Sequence, residues 1–392
     1  MPKRKTDFAI NDYNLIQTRK DWEKTLKVIS IESKMAIDLE ANSLYEYPGE
    51  ICLIQISIRG YDFLLDPLAH FSFPELGELL ADKNILKIFH ASEYDLRLFW
   101  KQYKWQIVNL FDTMWAGKLL GCKQLGLVYL LKTFLNVQHD KKFQKSNWKH
   151  RPLSNQQLSY AYRDSHYLIP LAEILQKKLE EKDLWDEAQE IFNDFAKGIV
   201  IEEEEQKSIQ FYKTFRSKHL PEKNLKVLQE LFFFREELGQ SLHILPNKLI
   251  SNKCLLNISK RIPETLDELN NLITGIYSIS NKIKKEELLE IILKTKNLNE
   301  PLYAPPIADN PKIKSRTSLL LQWRKQKSIM RNIDSDAILP KNKLFLLALY
   351  GPKTISELEK LEILGPVRLK MYGDEIINIF KKSDEFSEQE QL

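Results

Sequence analysis

The segment KMAIDLEA, residues 34–41, limits what this chain can fold into more than any other. Its apolar lead of Met35, Ala36 and Ile37 reads as a buried strand, yet Asp38 and Glu40 follow within it. On a strand, residues i and i+2 face the same side, so the two carboxylates stand next to each other. Like charges held that close repel, and burial makes the repulsion worse. Oxygen-loving divalent cations such as Mg²⁺ and Mn²⁺ relieve it. A fully solvated strand face would relieve it too, and Asp-x-Glu alone does not decide between the two.

Two further acidic elements follow. In HASEYDLRLF, Ser92 is placed to cap a helix and Asp95 falls at its third position. Asp95 is therefore either a cap partner that complements the helix dipole or a third acid directed at a cation. His90, at the end of the strand ILKIF (85–89), is read as a packed, hydrogen-bonded residue. In LSNQQLSYAYRDSHYL, Ser154 and Gln157 make a capping box, and Leu158, Ala161, Ser165 and Leu168 mark a buried stripe. Tyr160 and Asp164 are four apart, hence neighbours on one face of that helix. They are a surface pair, or a fourth acid with a phenol one turn away. Pro170 is expected to bend the helix beyond them.

These elements lie in a first half that mixes strand and helix periods. KMAIDLEA, EICLIQISIRG, YDFLLDP and ILKIF read as strands, and helical spacing takes over from Ser92, giving an α/β or α+β domain. From 211 onward only helical periods occur. The Glu202–Glu205 run is a plausible hinge, and a break at 297–311 carries Pro301, Pro305, Pro306 and Pro311. The segments flanking that break match without gaps at an offset of 89 residues. Phe234-Arg235 falls on Trp323-Arg324, Leu255 on Leu344, Pro263 on Pro352, Thr265 on Thr354 and Glu268-Leu269 on Glu357-Leu358. The coincidences sit at apolar, proline and capping positions, so we read two copies of one small helical domain. Three domains are expected, at 1–204, 206–296 and 312–382.

The net charge of +4 is unevenly placed. Residues 1–200 balance 27 Lys+Arg with 27 Asp+Glu. Residues 206–382 hold 31 Lys+Arg against 19 Asp+Glu, a basic body suited to a polyanion or simply a set of solvated helix faces. Three scattered cysteines form neither a disulfide framework nor a zinc motif, and MPKRKTDFAI has no apolar signal core. A cytoplasmic, non-membrane protein is expected.

Asp-x-Glu on an early strand, Asp at a helix start and Tyr-x-x-x-Asp on a later helix resemble, as an ordered set, the DEDDy family of 3′–5′ exonucleases. DLEANSLYEYPGEICLIQIS, HASEYDLRLF, FDTMWAGKLLG, LGLVYLLKTFLNV, KKFQKSNWKHRPLS and LSYAYRDSHYL narrow the resemblance to the ribonuclease D branch, over about residues 15–200. The helical copies resemble the HRDC module, and two of them after the nuclease resemble bacterial ribonuclease D. One departure is Asn147 before Trp148, where the family often has Asp.

The resemblance implies a ribonuclease H-like (DnaQ-like) exonuclease domain, its mixed sheet flanked by helices, followed by two small all-α HRDC domains. It implies two divalent ions, Mg²⁺ or Mn²⁺, about 3.5–4 Å apart. Asp38 would bridge them, Glu40 and Asp164 would complete one site, and Asp95 would hold the other. Tyr160 would orient the attacking water. Leu39 and Tyr45, unless packed in the core, would wedge terminal bases; Gln55, Trp148 and Arg151 would contact substrate. The implied activity is 3′–5′ exoribonuclease hydrolysis releasing nucleoside 5′-monophosphates, on RNAs with free 3′ ends and above all tRNA precursors, by a monomer. Two alternatives stay open: a DNA proofreading or repair exonuclease, and a non-catalytic RNA-binding scaffold on the same fold.

Overall fold

A computed structural model of the chain describes residues 13–43, 49–139, 142–201, 211, 214–215, 220–273, 285–296 and 311–389. Tyr45, the Glu202–Glu205 run and the proline-rich stretch at 297–310 lie outside them. The chain forms two compact units. One joins residues 1–41, 51–200 and 310–392, and the other comprises 42–50 and 201–309.

The first unit is built on a six-stranded mixed sheet: β1 (Asn14–Ile16), β2 (Lys34–Ala41), β3 (Ile51–Ile58), β4 (Tyr61–Leu65), β5 (Leu86–Phe89) and β6 (Leu110–Asp112). Their order across the sheet is β1-β4-β3-β2-β5-β6. The meander β2-β3-β4 is antiparallel, while β1 on one side and β5 and β6 on the other run parallel to their neighbours. The four longer strands lie where the Ile- and Leu-rich alternation puts them. The two edge strands, β1 and β6, have three residues each, too few for a period to show in sequence.

Helix α1 (Arg19–Ile29) is capped by Thr18 and buries Trp22 and Ile29, and α2 (Glu75–Ala81) buries Leu76 and Leu80. After these come α3 (Glu93–Tyr103), α4 (Thr113–Leu119), α5 (Leu127–Leu135), α6 (Asn155–His166), α7 (Leu168–Glu181) and α8 (Trp185–Ile201). Helix α6 lies across β2, β3 and β4. It starts at the capping box of Ser154 and Gln157. It does not bend at Pro170 as expected. It ends at His166, and Pro170 sits in the first turn of α7, where the missing N–H leaves no bond unmade.

The last segment is helical: α9 (Pro311–Arg331), α10 (Ser335–Ile338), α11 (Lys341–Tyr350), α12 (Ile355–Lys360) and α13 (Pro366–Gln389). It packs with the sheet domain as one unit through α8. Glu187, Glu190 and Asp194, spaced to share one face of α8, meet its cations. Arg331 binds Glu187 with two nitrogens, at 2.8 and 2.6 Å. Arg368 Nε reaches Glu190 at 2.6 Å and its other end reaches Asp194, which also accepts from Lys343 at 2.5 Å. Glu190 additionally accepts from the Val367 backbone N–H at 2.6 Å, supplying the first turn of α13 with an anion. A Cβ on Gly365 would come within 2.3 Å of the Glu190 carboxyl, so the chain needs glycine for this approach.

Within the second unit, residues Glu222–Leu242, Pro246–Leu249, Asn252–Arg261, Leu266–Leu272 and Lys285–Thr295 are helical. The offset of 89 residues seen in the sequence recurs in individual hydrogen bonds. Arg235 donates to Ile250 O and Asn247, and Arg324, 89 residues on, donates to Leu339 O and Asp336. Thr265 accepts from Glu268 N and Thr354 from Glu357 N. The glutamate of each pair reaches one residue further back than a capping box requires, to the backbone N–H of Glu264 or Lys353, at 2.8 Å in both copies.

Arg368 is 1% exposed and Glu190 8%, so removing the carboxylate leaves the buried Nε–H unpaired, with Asp194 as the guanidinium's remaining carboxylate. Glu190→Ala is expected to lower stability by roughly 3–5 kcal/mol. Glu173→Ala, whose partners Lys34 and Arg59 are at the surface, is expected to change it by less than about 1 kcal/mol. Urea unfolding of both variants checks the contrast.

Candidate active site

Asp38 and Glu40 project from one face of β2, opposite Gln55 and Leu53 of β3 in the antiparallel register. Helix α6 covers this face and brings Asp164 to it. Asp38, Glu40 and Asp164 each offer a carboxylate oxygen, and these oxygens all lie within 4.8 Å of one another. Among the described residues this is the one group of three or more such donors that could hold a metal ion. Asp95, in the first turn of α3, adds a fourth charge, close enough to help raise the pKa of Asp38 and of Glu40.

The electrostatics follow from this crowding. Burial raises the pKa of Asp38 well above the ordinary carboxylate range, and the negative charges of Asp164 and Asp95 push it further. Glu40 is raised by burial, then by Asp38, Asp164 and Asp95. Asp95 is raised by burial and by Asp112. Hard oxygen donors that repel one another are the donor set a Mg²⁺- or Mn²⁺-sized cation fits. Gln55 strengthens the fit. It is fully buried beside Asp38, and neither its amide nitrogen nor its oxygen has a hydrogen-bond partner. An orphaned amide at such a place suits an ordered water or an ion's hydration shell.

Each acid is held by its own local structure. The Ser92 backbone N–H and hydroxyl both donate to Asp112 Oδ2, at 2.7 and 2.8 Å. Ser92 is therefore not the side-chain cap of α3 that its position suggested. Asp112 also accepts from Ala91 N, Met114 N and Trp115 N, tying the start of α3 to that of α4. Helix α6 is latched to the sheet by Ser57, which donates to Asp62 at 2.5 Å and meets Ser165 Oγ at 2.7 Å. His166 meets the other oxygen of Asp62 at 2.6 Å. His90 has the packed role expected of it, 2.9 Å from Thr113.

Tyr160 is buried one turn before Asp164. Burial raises its pKa above that of a free phenol, and Asp164, Glu40 and Asp38 add to the rise, so the ring remains a neutral O–H donor. His139 stacks on it, with centroids 5.7 Å apart and planes 21° apart, and Phe143 and Trp148 flank it.

The expected substrate contacts fare differently from the acids. Leu39 points away from Asp38 into the main core, as strand alternation requires. Trp148 is 1% exposed and packs against Tyr160. Arg151 uses all five N–H donors internally, on Asp66 (2.9 and 2.7 Å), Cys52 O, Trp148 O and His150 O. Leu39 and Trp148 are buried, and the Arg151 guanidinium is engaged within the chain. Asn147, the departure from the family pattern, accepts from Lys149 N at 3.2 Å within its turn. Sequence reading missed Asp112 and His139. Asp112 could have been found as the capping residue of FDTM; His139 carries no local signal.

With this geometry in place, comparison with known proteins gives two family matches. Residues 13–180 match the family model described as 3′–5′ exonuclease, and residues 314–380 match the HRDC domain. The chain carries a DnaQ-like 3′–5′ exonuclease domain joined to an HRDC domain. The fold of this exonuclease–HRDC chain is similar to the crystal structure of Escherichia coli RNase D, with a TM-score of 0.80 at 20% identity over 95% of this chain and 99% of that one. The catalytic core of RRP6 from Trypanosoma brucei gives a TM-score of 0.59 at 25% identity, over 74% and 81%. Among curated proteins, the exosome complex component 10 homolog of Caenorhabditis elegans is 30% identical over 303 residues, 72% of this chain. Human exosome complex component 10 is 31% identical over 242 residues, 59% of this chain. The chain spans a third or less of the length of these two relatives, 33% and 27%.

Folding raises the pKa of Asp38 and Glu40, so without metal these acids favour the native state at low pH. Stability is then lost as pH rises from about 4 through their folded values. In chelator at pH 8, Asp38→Asn is expected to melt above the parent, by about 2–4 °C per kcal/mol of repulsion relieved. Mn²⁺ is expected to raise the Tm of the parent and not of the variant. Thermal melts with and without Mn²⁺ check both.

Proposed function

We propose that this chain is a metal-dependent 3′–5′ exoribonuclease that trims structured RNAs, with tRNA precursors as the expected substrate, releasing nucleoside 5′-monophosphates. The observation that carries the reading is the convergence of Asp38, Glu40 and Asp164 to within 4.8 Å, beside Asp95 and Tyr160, inside a 3′–5′ exonuclease fold. The RNA preference rests on the names of the relatives, RNase D among them.

In this reading Asp38, Glu40, Asp95 and Asp164 would hold two divalent ions, Mg²⁺ or Mn²⁺. Bound divalent cations neutralise charge on the scissile phosphate and make water a better nucleophile at neutral pH. The protein's own residues do the rest. Asp38, Glu40, Asp95 and Asp164 fix where the phosphate sits. Tyr160, kept neutral by burial, orients the attacking water through its hydroxyl. Gln55, whose buried amide has no hydrogen-bond partner, is free to bind a water or substrate group beside Asp38. Residues 206–296, whose Arg235 and Thr265 repeat the bonds of Arg324 and Thr354, form a second HRDC-type module. Its lysines and those of residues 312–382 supply contacts to the RNA backbone.

The working state is a cytoplasmic monomer. A solution mass near 46.2 kDa is its check.

The deciding experiment is a timed ladder on 5′-labelled RNA with Mg²⁺ or Mn²⁺, beside matched DNA. Stepwise shortening from the 3′ end, mononucleotide products and arrest by chelator are expected. Asp38→Ala should abolish cleavage while RNA binding persists, and Tyr160→Phe should lower kcat by about 10²-fold or more. RNA bound but never shortened by the parent would make the chain a scaffold. Faster digestion of DNA would make it a DNA exonuclease.

A further inference from the structure

His139 stands outside the set of acids and the tyrosine, yet it touches both parts of that set. It follows α5, and its Nε2 lies 2.6 Å from Asp164 Oδ1. Its side chain is 4% exposed, and its ring stacks on Tyr160. A carboxylate only accepts, so the imidazole nitrogen is the donor and the Nε2–H tautomer is the one present.

We propose that His139 is a positioning residue of this site, acting through Asp164. Asp164 has two other carboxylates within 4.8 Å and comes from a different element than either. Repulsion favours turning its side chain away from them. One donor opposes that rotation: the His139 N–H, 2.6 Å from Asp164 Oδ1. A carboxylate has about four lone-pair sites, so this bond leaves room for a cation on Asp164. The stacking ties His139 to Tyr160, so the His139 ring also limits the swing of the phenol that orients water. His139 is not itself among the residues whose ligand atoms converge, so its role is to hold a ligand rather than to be one. Outer-shell donors of this kind typically change metal affinity or activity about 10–100-fold when removed.

The inference rests on the cation-dependent reading above, and its test does not depend on RNA cleavage. Mn²⁺ binding to the full chain is measured by calorimetry for the parent and three variants. His139→Phe keeps the stacked ring and loses the N–H. His139→Gln places an amide N–H where Nε2 was, and His139→Asn falls short of it. The Phe and Asn variants are expected to bind Mn²⁺ about 10–100-fold more weakly, with the Gln variant close to the parent. In cleavage assays the Mg²⁺ needed for half-maximal rate should rise in the same order while KM for RNA stays unchanged. Parent-like Mn²⁺ affinity in the Phe variant, or a Gln variant as weak as Asn, overturns the proposal. Melts in chelator identify any variant that does not fold; should that be Phe, the Gln and Asn pair decides. If the affinities divide as expected and the parent cleaves no RNA, the exoribonuclease reading fails and the role of His139 stands.

Discussion

Repulsion among buried carboxylates is the constraint that the rest of the sheet domain is arranged to withstand. Asp38, Glu40, Asp95 and Asp164 come from three elements, and none gains from approaching the others in the absence of a cation. The ladder of β2 against β3 fixes the first two. Asp112 gathers five donors at the turn that presents Asp95. Ser57, Asp62, Ser165 and His166 bolt α6, and with it Asp164, to the sheet. Arg151 closes the loop that enters α6 by joining Asp66 to the backbone of Cys52 and Trp148. Each of these networks grips an element that carries an acid or leads into one. Geometry that costs stability without a cation is the geometry that binds one when it is present.

What could be read in the sequence and what could not divide along a physical line. Features set by local periodicity or chain-adjacent bonding were legible: the strands around Asp38 and Ile54, the capping box of Ser154, the Tyr160–Asp164 spacing and the duplicated Thr-x-x-Glu starts. Features set by a distant partner were not. Ser92 has the sequence of a cap, but Asp112, twenty residues on, takes both of its donors. Arg151, in a polar loop, looks like a substrate contact until Asp66, 85 residues upstream, claims it. His139 has no neighbour in sequence that betrays it, because Asp164 and Tyr160 reach it only through the fold. Leu39 followed from strand alternation alone, once the acids were given the site-facing side.

The two helical segments related by the 89-residue offset make the same internal bonds but present different surfaces. Their internal anchors, Arg235 and Arg324, Thr265 and Thr354, make the same bonds. The cations that dock the second copy on α8 have no counterpart in the first. At the same offset of 89, Arg331, Lys343 and Arg368 correspond to Leu242, Cys254 and Ile279. Docking is therefore a property of the second copy's surface and not of the repeat. It also bears on the basic surplus of the C-terminal half. Three of the second copy's cations already face Glu187, Glu190 and Asp194, and a polyanion would have to displace those carboxylates to reach them. Because these pairs are partly or wholly buried, salt screens them weakly, whereas contacts between exposed lysines and an RNA backbone weaken steeply with salt. The second copy is thus fitted to hold its place on the nuclease under ionic conditions that would release an RNA, which separates its structural duty from any share it has in binding.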